Sequence, residues 1–246
     1  MNLFFISLCS LASMAFSNYG VDTSVLTTQD QFKCLIMTAN TSFVIIRAYR
    51  SLGAVDDAAP ESAKNAHAAG IFNIGAYIFP CIASSNYSIT HNITCESPSK
   101  QFQDTIDFLE SNGLFIFRQN ENQSIKLNKK VVINRVWLDV EDEQPNIYYD
   151  VNSTINDLFL TEMVSEAHKQ GIQIGIYTTK TYWSQIMNDT TSFSAYPLWY
   201  PRYDAVNSMD FFSAFGGWND VKVKQTGGSV GLCEISQVDT DYMEWL

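Results

Sequence analysis

Two stretches of the chain carry the same pattern. "NAHAAGIFNIGAYIFP" (Asn65 to Pro80) and "EAHKQGIQIGIYTTK" (Glu166 to Lys180) each read as the end of a helix, a glycine stop at Gly70 or Gly171, and an apolar strand. Glycine just past a helix supplies the left-handed conformation that ends it without steric cost. The strands "FNIGAYIF" and "IQIGIYTT" are mostly apolar, as parallel strands covered by helices should be. Phe43–Ala48, Val132–Val140, Pro197–Tyr200 and Val221–Gln225 read as further strands, with helical patterns over Ser99–Asn112 and Ile155–Gln170. Alternating strand and helix implies an α/β domain with a parallel sheet, either open or closed into a barrel. The final third is poor in helix signals, so a regular eightfold repeat does not fit. No Pro/Gly/Ser-rich linker divides the 246 residues, a length common for one α/β barrel.

The net charge of −11 argues against a nucleic-acid partner, whose phosphates would be repelled. It fits a protein that works in acid, where part of that charge is neutralised. The opening "MNLFFISLCSLASMAFS" is a short apolar run followed by small residues. It is expected to be a cleaved signal peptide, residues 1–17, with the mature domain over 18–246. The absence of Lys or Arg before the apolar run departs from that pattern. Cleavage removes Cys9 and leaves Cys34, Cys81, Cys95 and Cys233. Four cysteines in a secretory context suggest two disulfides with three possible pairings, or else free buried thiols. Cys81–Cys95, closing a local loop, and Cys34–Cys233, tying the ends together, are favoured. Asn-X-Ser/Thr sequons at Asn40, Asn86, Asn92, Asn122, Asn152 and Asn188 agree with secretion and predict a glycosylated monomer.

"RVWLDVEDEQ" (Arg135 to Gln144) ends a strand-like run in a cluster of acids. Side chains alternate along a strand, so Trp137, Asp139 and Glu141 share one face while Val136, Leu138 and Val140 share the other. The aliphatic face suits covering helices, and the acidic face suits a barrel lumen or an active-site edge. Catalytic residues of such folds sit at the C-terminal strand ends, where Asp139 and Glu141 fall roughly 6–7 Å apart. Carboxylates that close divide their labour: one stays protonated as a general acid while the other is anionic. Glycoside hydrolysis requires that division. A solvated acidic loop is the plain alternative, and Asp142 and Glu143 are assigned to one. "YGVDTS" places Asp22 at the end of a first strand, and "SQVDTDYMEWL" places Asp239 near the end of the last. Should the sheet close, both converge on Asp139 and Glu141.

Other chemistries lack their residues. His67, His91 and His168 are scattered, and two of them sit where a helix C-terminus favours partial positive charge. No zinc spacing, calcium loop, G-x-S-x-G elbow or phosphate-binding loop occurs, so no metal or cofactor is expected.

Taken in order, "GVDTS", "FVIIRAY", "AGIFNIGAYIFP", "VWLDVED", "GIQIGIYT", "PLWYPRYD", "VKQTGG" and "VDTDYM" resemble glycoside hydrolase family 25, the N-acetylmuramidase lysozymes, from about Tyr19 to Tyr242. The resemblance is to the invertebrate and protist branch. It implies an irregular (β/α)5(β)3 barrel and peptidoglycan as substrate. It makes Glu141 the general acid, with Asp139 orienting the substrate's own 2-acetamido group. Direct attack by water, with inversion, is the other route. Asp22 and Asp239 match the family's remaining acids. Tyr77, Tyr177, Trp199 and Tyr203 are expected in the sugar cleft, although core packing is the commoner fate of such aromatics. Arg47, where many members carry Lys, is expected to meet an acid inside the barrel. "RAYRSLG" and "KQT" depart from the usual "K-A-T-E-G" and "W-Q-Y" patterns, departures that bear on outer-subsite contacts and leave the four acids untouched. A sugar-binding barrel without turnover, or a hydrolase acting on chitin, are the competing readings. The implied site of action is outside the cell or in a lysosome or phagosome, at acidic pH.

Overall fold

A computed structural model describes residues 19–119, 130–142 and 147–243. The signal peptide expected over 1–17, Cys9, Asn122 and Glu143 lie outside the described residues. In chain order the elements are β1 (Tyr19–Thr23), α1 (Gln29–Ala39), β2 (Thr41–Arg50), β3 (Ala54–Val55), α2 (Ala59–Ala69), β4 (Asn73–Ile78), α3 (Asn86–Thr90) and α4 (Pro98–Ser111). They continue with β5 (Phe115–Ile116), β6 (Val132–Asp139), α5 (Ser153–Lys169), β7 (Ile174–Tyr177), α6 (Lys180–Met187), β8 (Leu198–Pro201), β9 (Val223–Leu232) and β10 (Ile235–Met243).

Eight strands close a barrel in the order β1-β2-β4-β6-β7-β8-β9-β10, with β10 returning to β1. Pairing is parallel from β1 round to β9, whereas β10 runs antiparallel to both its neighbours. The sheet is therefore mixed, parallel through the strands read from the sequence repeats and antiparallel only at β10, as the irregularity of the expected barrel allows. A tight turn between β9 and β10 cannot deliver a parallel strand, because a parallel partner needs a long crossover. Five strand–helix units followed by three strands without helices give the (β/α)5(β)3 pattern. The short β3 and β5 pair outside the barrel with β2 and β6.

The helix ends follow from local chemistry. Thr28 and Gln31 form a reciprocal capping box at the start of α1. Ser97 caps α4 and Pro98 opens it, while Asn152 and Thr179 cap α5 and α6. Gly70 adopts φ 108° and Gly171 φ 67°, the two stops read from the sequence.

Strand alternation sorts the core into two layers. Val44, Ile46, Ile74, Ala76, Val136, Leu138 and Ile176 face outward and pack against helix residues such as Phe32, Phe102, Ile106, Leu160 and Met163. Phe43, Ile45, Tyr77, Trp137, Tyr177, Trp199 and Val223 fill the lumen. Two glycines make that filling possible. A Cβ on Gly20 would come 2.3 Å from the Phe43 ring, and one on Gly175 would come 2.3 Å from the Trp137 ring. The apolar plug closes the lumen below and leaves the C-terminal strand ends open above, where the acids lie.

Both expected disulfides form. Cys34–Cys233 ties α1 to the β9–β10 turn, and Cys81–Cys95 closes the loop around α3. Among the described residues, no helix is long and apolar enough to cross a membrane.

Candidate active site

A cavity of about 300 Å³ opens at the C-terminal mouth of the barrel. Asp22, Tyr77, Asp139, Glu141, Tyr177, Trp199, Tyr203 and Asp239 all line it, together with Gln225, Gly228 and Ser229. Barrel closure achieves the convergence: Asp22 and Asp239 are register partners across β1 and β10, and Asp139 and Tyr177 across β6 and β7.

Asp139 is the last residue of β6 and only 4% exposed. Its Oδ1 has no hydrogen-bond partner among the described residues. Burial pushes its carboxyl well above the usual range, the Glu141 charge adds to that, and Arg47 opposes it. The backbone on either side is pinned. Tyr149 Oη donates to the Asp139 carbonyl at 2.6 Å, the Val140 N–H donates to the Tyr177 carbonyl, and Thr178 Oγ1 donates to the Val140 carbonyl at 2.7 Å. Glu141 follows, half-buried, on the same face as Asp139. Asp142 turns away and accepts backbone N–H groups of Ile147, Tyr148 and Tyr149, the nearest at 2.9 Å. It organises the loop after the strand, consistent with its assignment there.

On the opposite wall, Gln225 connects four side chains. Its Nε2 donates to Asp22 Oδ2 at 2.7 Å and to Asp239 Oδ2 at 3.0 Å. Its Oε1 accepts from Tyr177 Oη at 2.9 Å and from Tyr203 Oη at 3.0 Å. Asp239 also accepts the Ser229 N–H. Asp241, one β10 alternation beyond Asp239, lies beneath them, 1% exposed. It accepts Trp199 Nε1 at 2.9 Å, and its Oδ2 has no partner among the described residues. Burial raises the proton affinities of Asp22, Asp239 and Asp241 alike, and mutual repulsion among the three raises that of Asp22 further.

The aromatic residues divide by height. Trp199 stands at the centre, edge-to-face with Tyr177 at 4.5 Å, Trp137 at 5.7 Å and Tyr77 at 6.1 Å between ring centroids. Tyr77, Tyr177 and Trp199 are buried and present only their upper atoms to the cavity, so they belong both to the lumen core and to the cleft floor. Trp137 lies deeper and does not line the cavity. Tyr203 is different: 61% exposed, it stands at the rim over Gly228, where a Cβ would come 2.9 Å from its ring.

Arg47 does meet an acid, but not one of the four. Its Nε donates to Asp56 Oδ2 at 2.7 Å and its Nη2 to the Ser24 carbonyl at 2.9 Å, and it does not line the cavity. From β2 it acts on Asp139 and Tyr77 only through its charge. The histidines take structural roles, His67 against the Phe72 ring and His168 with the Tyr196 hydroxyl. Among the described residues, no cluster of His, Cys, Asp or Glu is arranged to hold a metal ion. Sequence reasoning gave Gln225 and Asp241 no role. Asp241 was detectable, because in "VDTD" the period of two puts it on the face of Asp239.

The family model described as Lysozyme-like protein 1 (Lys-1) matches residues 13–226. The chain is 35% identical over 230 residues to Probable GH family 25 lysozyme 2 of Dictyostelium discoideum, covering 92% of this chain and 93% of that one. This chain belongs to glycoside hydrolase family 25. Lysozyme-like protein 5 of Caenorhabditis elegans is 32% identical over 248 residues, covering 99% of this chain and 100% of that one. Among solved structures, the family 25 lysozyme from Aspergillus fumigatus shares the fold with a TM-score of 0.66 at 17% identity, covering 93% of this chain and 94% of that one. By family, then, the chain is a lysozyme-type glycoside hydrolase.

Proposed function

We propose that the chain cleaves the β-1,4 bond between N-acetylmuramic acid and N-acetylglucosamine in bacterial peptidoglycan. The observation that carries the reading is Asp139. Asp139 lines the cavity while one of its carboxyl oxygens, buried, has no partner among the described residues, which is costly to maintain unless a ligand supplies one. An acetamido N–H is a donor of the right kind. In this reading the neighbouring Asp139 and Glu141 hold one proton between them, which lies on Glu141 once the substrate N–H engages Asp139, and Glu141 gives it to the glycosidic oxygen as that bond breaks. The acetamido oxygen attacks the anomeric carbon and closes a five-membered ring, and Asp139 takes up the N–H proton. Water then attacks the same carbon, losing a proton to Glu141, while Asp139 returns its proton as the ring reopens. Substrate-assisted cleavage of this kind retains the anomeric configuration. Asp22 and Asp239 supply the polar far wall, and Tyr77, Tyr177, Trp199 and Tyr203 offer surfaces to the sugar rings.

Two disulfides are consistent with an oxidising compartment. We assign residues 1–17 to a signal peptide and 18–246 to a catalytic barrel, a glycosylated monomer secreted or sent to a lysosome or phagosome. The five described sequon asparagines, Asn40, Asn86, Asn92, Asn152 and Asn188, are all exposed, which supports their availability for glycosylation.

The test is release of soluble muropeptides from purified bacterial walls near pH 4.5 and pH 7, comparing the unaltered protein with Glu141→Gln. Release that the variant abolishes, while it still binds walls, supports the reading. Binding without release by either protein makes the barrel a lectin. Release from chitin in preference to walls reassigns the substrate. NMR of the first-formed anomer separates retention from inversion by direct water attack.

A further inference from the structure

Asp241 is a buried acid that the reading above does not use. Its Oδ1 is satisfied by Trp199 Nε1, but no N–H or hydroxyl donor among the described residues reaches its Oδ2. The carboxyl placed to supply one is that of Asp22, diagonal to Asp241 on the lumen face of the β1–β10 pair and opposite Asp239. A hydrogen bond between two carboxyls exists only if one of them carries a proton. The remaining contacts show where it sits. Asp22 Oδ2 already accepts the Gln225 amide, as a carbonyl oxygen would, which leaves the other Asp22 oxygen to carry the hydrogen. One proton on Asp22 then completes both side chains: Asp22 donates to Asp241, and Asp241 accepts from Trp199 and Asp22.

We propose that Asp241 is a positioning residue that acts through Asp22, the two carboxyls sharing one proton so that Asp22 meets the cavity in its neutral form. The pair then carries one negative charge in place of two and keeps that charge on the deeper residue, away from substrate. A further carboxylate beside Asp239 would oppose the negative charge that develops on Glu141 as it gives up its proton, and would bind water tightly. Burial favours the shared proton, since two adjacent carboxylates in a low-dielectric site cannot both ionise cheaply.

The charged and titratable neighbours are consistent with this. Arg47 on β2 is held by Asp56. Tyr77 on β4 and Tyr177 on β7 are neutral phenols, pushed further up by burial. Burial likewise pushes the phenol of Tyr203, after β8, up beyond any working pH. Asp139 ends β6 with Glu141 just after it, and Asp239 is the remaining acid of β10. Lys224 of β9 points away from Gln225 and is bound by Asp204 at 2.6 Å. No described cation therefore neutralises the pair directly, and a proton fills that place. The pair titrates together.

The activity arm of this proposal rests on the glycosidase reading, and the spectroscopic arm does not. Infrared difference spectra of the full chain at pH 7 would compare the unaltered protein with Asp241→Asn and Asp22→Asn. The expected result is a protonated-carboxyl C=O band that both variants lose. In Asp241→Asn the new side-chain amide would donate to Asp22 and hold it as a carboxylate. The alkaline limb of the pH–rate profile for wall solubilisation should then move down by about one pH unit or more. Asp241→Asn retaining the band, or losing activity uniformly without a shift in the profile, overturns the proposal. Should Asp241→Asn fail to fold, Asp22→Asn reads the same proton from the other partner. Absence of wall solubilisation with the band present refutes the substrate reading and leaves the shared proton standing.

Discussion

Gln225 Nε2 donates to Asp22 Oδ2 at 2.7 Å, joining β9 to β1 across the antiparallel strand that separates them. The same amide holds Asp239, Tyr177 and Tyr203. Its direction matters. Both tyrosine hydroxyls spend their proton on Oε1, so each phenol oxygen offers the cavity only lone pairs, suited to a sugar O–H or an amide N–H. Gln225→Leu keeps the bulk and strands four polar groups, at ~1–3 kcal/mol for each that water cannot reach. We expect a loss of about 3 kcal/mol in urea unfolding, with kcat reduced about tenfold or more. Unchanged stability would show that water replaces the amide.

Glu141 and Asp139 should separate kinetically. Removing a general acid costs ~10²–10⁴ in rate, so Glu141→Gln should lose kcat on natural walls with KM little changed. A substrate with a good leaving group needs no protonation and should recover much of that loss with Glu141→Gln. Asp139→Asn should not be rescued, because its task is the acetamido group and not the leaving oxygen. Equal rescue of both variants would refute the division of roles.

Tyr203 is held over the bare backbone of Gly228, so two substitutions should converge. Tyr203→Ala removes an exposed ring face and is expected to raise KM about fivefold, worth ~1 kcal/mol, with kcat retained. Gly228→Ala places a methyl against the ring and must shift it, giving a similar rise in KM while Tyr203 is still present. A kcat effect from Gly228→Ala with KM unmoved would mean the ring is not a sugar platform.

The legible part of this fold was the part written in short-range patterns. Gly70 and Gly171 marked helix ends because only glycine takes those φ values freely. Period-two alternation put Asp139 and Glu141 on one face and Val136 and Leu138 on the other. The hidden part depended on long-range geometry. The two-residue turn that reverses β10, Cys233 and Glu234, carries neither Asn nor Gly, so the sequence did not announce the reversal that lays Asp239 opposite Asp22. Arg47 could be expected to pair with an acid, but its choice of Asp56 depends on how the short β3 folds back on β2. The helices α1 and α6 were not singled out because their apolar faces are narrow, Phe32 and Leu35 in one and Trp183, Ile186 and Met187 in the other.

The buried acids make stability depend on pH in a definite direction. Burial raises the proton affinities of Asp22, Asp139, Asp239 and Asp241, so over the window above the ordinary carboxylate range the folded chain holds protons that the unfolded chain has lost. Stability then falls as pH rises through that window. Asp204 acts oppositely, since Lys224 and the Val206 N–H lower it more than burial raises it, but only below the ordinary range. The melting temperature should therefore be higher at pH 5 than at pH 8 by about 3 °C or more, a tenfold difference in proton affinity being worth ~1.4 kcal/mol. Asp139→Asn removes one of these titrations and should make the dependence shallower. A melting temperature that climbs from pH 5 to pH 8 would overturn this account.

The two disulfides should differ in what their loss does. Cys34–Cys233 spans 199 residues and Cys81–Cys95 spans 14. On the chain-entropy argument the first restrains the unfolded state by ~5 kcal/mol and the second by ~3 kcal/mol. The longer link also acts on the folded side. It holds the β9–β10 turn against α1, assisted by Gln31 Nε2 donating to the Glu234 carbonyl at 3.2 Å, and β10 carries both Asp239 and Asp241. Replacing Cys34 and Cys233 by serine should thus lower stability more than replacing Cys81 and Cys95. It should also speed hydrogen exchange in β10 and reduce turnover below the unfolding transition. The Cys81/Cys95 double variant should leave β10 exchange unchanged. Equal losses from the two, with β10 equally protected, would mean that the turn is held by the β-ladder alone.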